Sequence, residues 1–194
     1  MEENENTDNT SLNSFYSFEN KKKYENKIYY NGYYISKTLK LISELLNDIC
    51  KEDKKNKEDK KLLIRPFISK KIPAISIFEY IERLSKYSKV SDEVFIFVLI
   101  YIDRICGIYK INLNYYNIHK LIIASFIVSI KYHEDEYYSI DFYAKIGGIP
   151  KKEMINLEYT FLNLIQFNLF VKEEIFNKYN NSLKNLEDDD DCDK

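Results

Sequence analysis

The chain has 194 residues, 45% of them hydrophobic, with only four glycines and three prolines. That suits one globular, helix-rich domain with some unpacked tail. Basic and acidic side chains number 29 and 31, a formal charge of -2, so the net basic face of a nucleic-acid binder is not expected.

Cysteine spacing and hydropathy exclude more. Cys50, Cys106 and Cys192 stand far apart without CxxC spacing. This argues against a disulfide framework or a zinc site, and for reduced thiols in an intracellular protein. The longest uncharged apolar stretches, Val94–Ile102 and Leu121–Ile130, fall short of the ~20 residues a membrane helix needs. They read as buried helices of a soluble domain, and the polar, acidic N-terminus is unlike a signal peptide.

Residues 1–32 are rich in Asn, Glu and Lys with no repeating apolar face, which predicts a disordered or loosely ordered tail. From Tyr33 to about residue 50, Ile35, Leu39, Ile42, Leu45, Leu46 and Ile49 recur at three- and four-residue steps. That is the stripe of one amphipathic helix. Residues 51–71 read as a charged linker: Lys51–Lys61 mixes six lysines with four acids, and mixed signs favour a solvated connection over a nucleic-acid patch.

The main body is predicted over residues 72–180. A first helix follows Ser76, with Phe78, Tyr80, Ile81 and Leu84 inward. Ser91 caps a second, where Asp92 and Glu93 complement the positive helix end. Its run Val94–Ile102 is apolar on every side, which marks it as the expected hub. Asp103 and Arg104 close that run. A charge there needs a partner or an exit to solvent, so a buried salt bridge is expected for Asp103 and a surface position for Arg104. Asn114 is the expected cap of a third helix, in which small Ala124 and Ser125 allow close approach of a neighbour. Ser139 caps a short fourth helix that Gly147-Gly148 ends, and Pro150 opens the fifth. A shorter helix is predicted over Lys172–Tyr179, followed by an acidic tail at 181–194. The pattern is all-α, a bundle with short connections.

No catalytic constellation emerges. His119 stands beside Lys120 and is expected at the surface. His133-Glu134-Asp135-Glu136 lacks the second histidine of HExxH, and Cys106 lies in an apolar helix. Gly147-Gly148 has no phosphate-binding spacing around it, and no kinase motif occurs. By exclusion the chain is a binding module.

The order of motifs goes further. Ile75–Ser88 resembles the first box helix of the P-type, or U-type, cyclins. Tyr101-Ile102-Asp103-Arg104 matches the YIDR that ends the second helix of cyclins generally. Ile118–Ser125, running on through Lys131 to Asp135, resembles the third helix. Tyr137-Tyr138-Ser139 with Tyr143–Ile149 resembles a block specific to the P-type. Leu157-Glu158, Phe161-Leu162 and Phe167–Leu169 resemble the fifth helix and its exit. The likeness runs in order from Ile72 to Tyr179 and covers a single cyclin box.

The resemblance implies a five-helix cyclin box with an extra N-terminal helix and a short C-terminal helix. It implies a regulatory subunit that binds and activates a cyclin-dependent protein kinase, in the nucleus and/or cytoplasm. Such a subunit is no enzyme and needs no cofactor, metal, membrane or nucleic acid. Lys131 and Glu158 fall on the family's kinase-contacting lysine and glutamate, with Phe126, Ile127, Ile155 and Phe161 as candidate apolar anchors. Asp103 falls on a bracing aspartate. The arginine that usually braces it is replaced by Ala74, which leaves Arg83 as the expected partner. The alternative is a cyclin-box adaptor or scaffold without kinase activation. Which kinase is bound, and whether the output is cell division, nutrient or phosphate signalling, or transcription, is left open.

Overall fold

The computed structural model describes residues 27–30, 33–52 and 62–190. The predicted tail up to residue 26, most of the charged linker and Cys192 lie outside these described residues. The chain divides into two units, Met1–Lys37 and Thr38–Lys194.

The first unit holds an antiparallel hairpin, β1 (Lys27–Tyr30) and β2 (Tyr33–Ser36), with Ile28 opposite Ile35 and Tyr30 opposite Tyr33. The helix expected from Tyr33 therefore begins later, at Lys37. Tyrosine and isoleucine favour the pleated surface of a strand, and the two residues between the strands in sequence are Asn31 and Gly32, a dipeptide that favours tight hairpin turns.

In the second unit α1 (Lys37–Glu52) buries Leu39, Ile42, Leu46 and Cys50. A 3-10 helix, Leu62–Phe67, follows; Ile64 and Phe67 are buried, so the end of the predicted linker is packed rather than solvated. Then come α2 (Ile77–Ser88), α3 (Asp92–Tyr109), α4 (Ile118–His133), α5 (Ile140–Gly147), α6 (Lys151–Leu164) and α7 (Glu173–Asp190). Five helices thus form the body, with one before and one after.

Local chemistry explains the ends. Ser76 and Glu79 form a reciprocal capping box at α2. Ser139 caps α5. Gly148 ends it at φ +69°, where the amide of Ile149 reaches the Ala144 carbonyl. Asn114 does not cap α4 directly. It builds the turn before it, and its carbonyl accepts from the amides of Asn117 and Ile118.

The hub is α4 rather than α3. No residue from Leu121 to Ile130 is more than 2% exposed, and α4 packs on α2, α3 and α6. Ser125 Oγ donates to the Val98 carbonyl of α3 at 3.0 Å, which only a small side chain at close approach permits. Phe95 and Phe126 stack 5.0 Å apart across the same seam. The last helix is longer than expected: α7 continues past Tyr179 to Asp190, and Leu183 is buried.

The surface position expected for His119 is not found. The first turns of α4 pack against α2, and the imidazole is buried 5.2 Å edge-on from the Tyr80 ring. Its Nε2–H donates to the Ile75 carbonyl at 3.0 Å. Burial pulls its pKa below the usual 6.5, against the opposing pull of that hydrogen bond, and burial moves His133 the same way. The unfolded chain therefore takes up these protons at a higher pH than the folded one, so stability is lost as pH falls below about 6.5. The urea midpoint is expected to drop between about pH 7 and about pH 5.5, and to drop less in His119→Gln, whose amide keeps a donor for Ile75. Equal drops in both proteins would remove His119 from this role.

Candidate functional site

Lys131 lies in the last turn of α4, where the unsatisfied carbonyls of a helix end favour a cation. Glu158 lies in the middle of α6. The packing of α4 on α6 brings them together, with Nζ 2.5 Å from Oε1. The lysine side chain is 34% exposed and the glutamate side chain only 14%. The ammonium thus rests on a mostly covered acid and keeps N–H donors to spare for a partner's carbonyls or carboxylates.

Apolar side chains border the pair. Ile155 and Tyr159 stand one helical turn apart on α6, and Tyr132 follows Lys131; all three are exposed. Of the four candidate anchors, Ile155 alone is on the surface. Phe126, Ile127 and Phe161 are fully buried, and Phe161 packs edge-on against Phe67. They are core because they sit on the faces of α4 and α6 that meet other elements. Tyr132 falls on the apolar stripe that periodicity gives α4, yet it is exposed; Tyr159 carries no signal of its own beyond adjoining Glu158 and sharing the α6 face of Ile155.

A second ion pair ties the same two helices. Lys120 Nζ lies 2.8 Å from Glu153 and also donates to the carbonyls of Pro66 and Ile68 at 3.4 Å. It clamps the 3-10 helix against α4 and α6.

The expected Asp103–Arg83 bridge is absent among the described residues. Asp103 is exposed, and it accepts a hydrogen bond from Tyr179 Oη of α7 at 2.5 Å. Arg83 lies over the Tyr80 ring at 5.1 Å, and one of its terminal nitrogens approaches Gly148. The two residues diverge because α2 packs on α4 and α5, whereas this part of α3 faces α7. Arg104 does extend outward, but it is employed there: Nη1 and Nη2 donate to the carbonyls of Asn168 and Phe170 at 2.9 and 3.0 Å.

No cluster of metal-ligating side chains occurs among the described residues, and no helix there is long and apolar enough to cross a membrane. What the geometry defines is a helical module with a fully wrapped central helix and a charged pair at its rim, the architecture of a cyclin box. The cyclin family profile matches residues 6–169, most of the chain. The chain belongs to the cyclin family. It is 40% identical over 119 residues to PHO85 cyclin-like protein psl1 of Schizosaccharomyces pombe, covering 60% of this chain and 49% of that protein. It is 33% identical over 166 residues to PHO85 cyclin-7 of Saccharomyces cerevisiae, covering 74% of this chain and 58% of that one. With Cyclin-U4-2 of Arabidopsis thaliana it shares 38% identity over 151 residues, covering 77% and 68%. These relatives place it with the P- and U-type cyclins. The chain spans about half the length of the first of them.

The reassigned brace has a direct test. Tyr179→Phe removes the hydroxyl that Asp103 holds and is expected to lower the unfolding free energy by about 1 kcal/mol. An Arg83→Gln change should add to an Asp103→Asn change independently in a double-mutant cycle. Coupling between those two positions would restore the original pairing.

Proposed function

We propose that this chain is the regulatory subunit of a cyclin-dependent protein kinase, which it binds and activates inside the cell. The observation that carries the reading is the Lys131–Glu158 pair, half open at the α4–α6 seam and bordered by Ile155, Tyr159 and Tyr132. Two relatives that bear the name PHO85 cyclin lend it support.

The mechanism is a shift of population. An isolated kinase of this class holds its αC helix and activation loop away from their working positions. Activity needs the αC glutamate paired with the β3 lysine and an ordered loop. A rigid surface that binds the working position of αC more tightly moves the equilibrium towards it. Rigidity is what the bundle supplies: the pair stands on two helices packed through a buried apolar core. Exposed Ile155 and Tyr159 offer the apolar, aromatic anchoring that such interfaces concentrate at their centres. A stable complex would bury about 1,600 Å² in total.

The full chain, tagged and purified from its native cells, should bring down a cyclin-dependent kinase and raise its activity. Lys131→Ala and Glu158→Ala should each weaken that association about tenfold or more while thermal unfolding shows an intact fold. Recovery of a transcription complex without any kinase would favour the adaptor reading. Unchanged affinity in both variants would remove the pair from the contact.

A further inference from the structure

The end of α4 that carries Lys131 is tied through α3 to the C-terminal segment, by two routes. The first is a hydrogen-bond relay. Tyr101 Oη of α3 donates to the Leu169 carbonyl, just before α7, at 2.6 Å. The same oxygen lies 2.9 Å from His133 Nε2. With its own proton committed to Leu169, the tyrosine oxygen is the acceptor, and Nε2–H of His133 is the donor. The second route is a stack of rings. His133 lies flat on Phe97 of α3, with centroids 3.5 Å apart and planes at 12°, and Phe97 meets Phe176 of α7 at 5.0 Å. His133 stands two residues after Lys131, in the same last turn of α4.

The C-terminal segment is in turn fixed by the rest of the motif around Tyr101. Asp103 takes the Tyr179 hydroxyl, and Arg104 grips the carbonyls of Asn168 and Phe170. Gln166 and Phe167 lie at φ 54° and 55°, a left-handed conformation unfavourable for non-glycine residues. A turn of that kind persists where its surroundings hold it. Three of the four side chains of Tyr101-Ile102-Asp103-Arg104 thus latch the segment between residues 168 and 179. Tyr101 itself is 0% exposed, so any influence it has on a partner must pass through other residues.

We infer that Tyr101 and α7 form a positioning unit for the end of α4, acting through His133 to hold the Lys131 turn in its binding-ready geometry. The inference rests on the kinase-contact reading above. A last helical turn frays readily because its carbonyls lack partners. A partner that had to order it would lose affinity to the entropy of doing so. Here that ordering is done within the subunit.

Tyr101→Phe keeps the buried ring and removes both hydrogen bonds. In the full chain, with the kinase it co-purifies with, this variant should bind about three- to tenfold more weakly at a temperature where it is fully folded. Amide exchange at residues 131–134 should speed up about tenfold while that of α2 stays unchanged. In a Lys131→Ala background the same change should weaken binding no further, a coupling that a merely structural role would not produce. Unchanged affinity for Tyr101→Phe, or losses that add, would overturn the positioning role alone, provided Lys131→Ala weakens binding. If Lys131→Ala has no effect, the contact reading fails and the positioning role fails with it.

Discussion

From Leu121 to Ile130, α4 has no side that faces water, and the bundle is arranged to satisfy that constraint. A helix of this kind must be enclosed, so α2, α3 and α6 gather round it. Enclosure is possible at helix-packing distance because small side chains sit at the contacts. Ser125 reaches a carbonyl on α3, and Gly147 sits so close to Ile123 that an added Cβ would stand 3.0 Å from it. At Ser125 the apolar driving force and the polar contact act together, since a buried hydroxyl without an acceptor is unfavourable; Ser129 Oγ, one turn further on, is buried with no such acceptor among the described residues.

The rim site follows from the same enclosure. Lys131 is the first residue exposed after the buried run Leu121–Ile130, and Glu158 lies where α6 passes it. The Glu158 side chain is mostly covered, and Lys131 lies against it. In the proposed contact, Glu158 already holds the cation before a partner arrives.

Much of this architecture is legible from the residues. The stripe of Leu39, Ile42 and Leu46, the caps at Ser76 and Ser139 and the stop at Gly148 all act through neighbours in sequence. Lys131 and Glu158 are 27 residues apart and carry no local signal, so only the family resemblance pointed to them. The burial of His119 and the exposure of Asp103 escape a local reading for one reason. Their surroundings depend on which helices pack together, and α2 leans away from Asp103 while α4 turns His119 inward. The Asn31-Gly32 dipeptide offered a hairpin signal that a helical reading from Tyr33 passed over. The second half of α7 carries little helical signal because it is rich in asparagine and acids, with leucines too sparse to form a stripe.

One of those leucines sets the limit of the folded body. Leu183 lies within the stretch whose composition suggests an acidic tail, yet it is 3% exposed and belongs to the core cluster. Shortening the protein to the last residue of the family-like segment, Tyr179, would keep every motif and still leave a leucine-sized hole against the bundle. A void of that kind is destabilising in itself, because surrounding atoms relax only partly into it. The minimal stable fragment is therefore defined by a packing contact, several residues beyond the point where recognisable sequence stops.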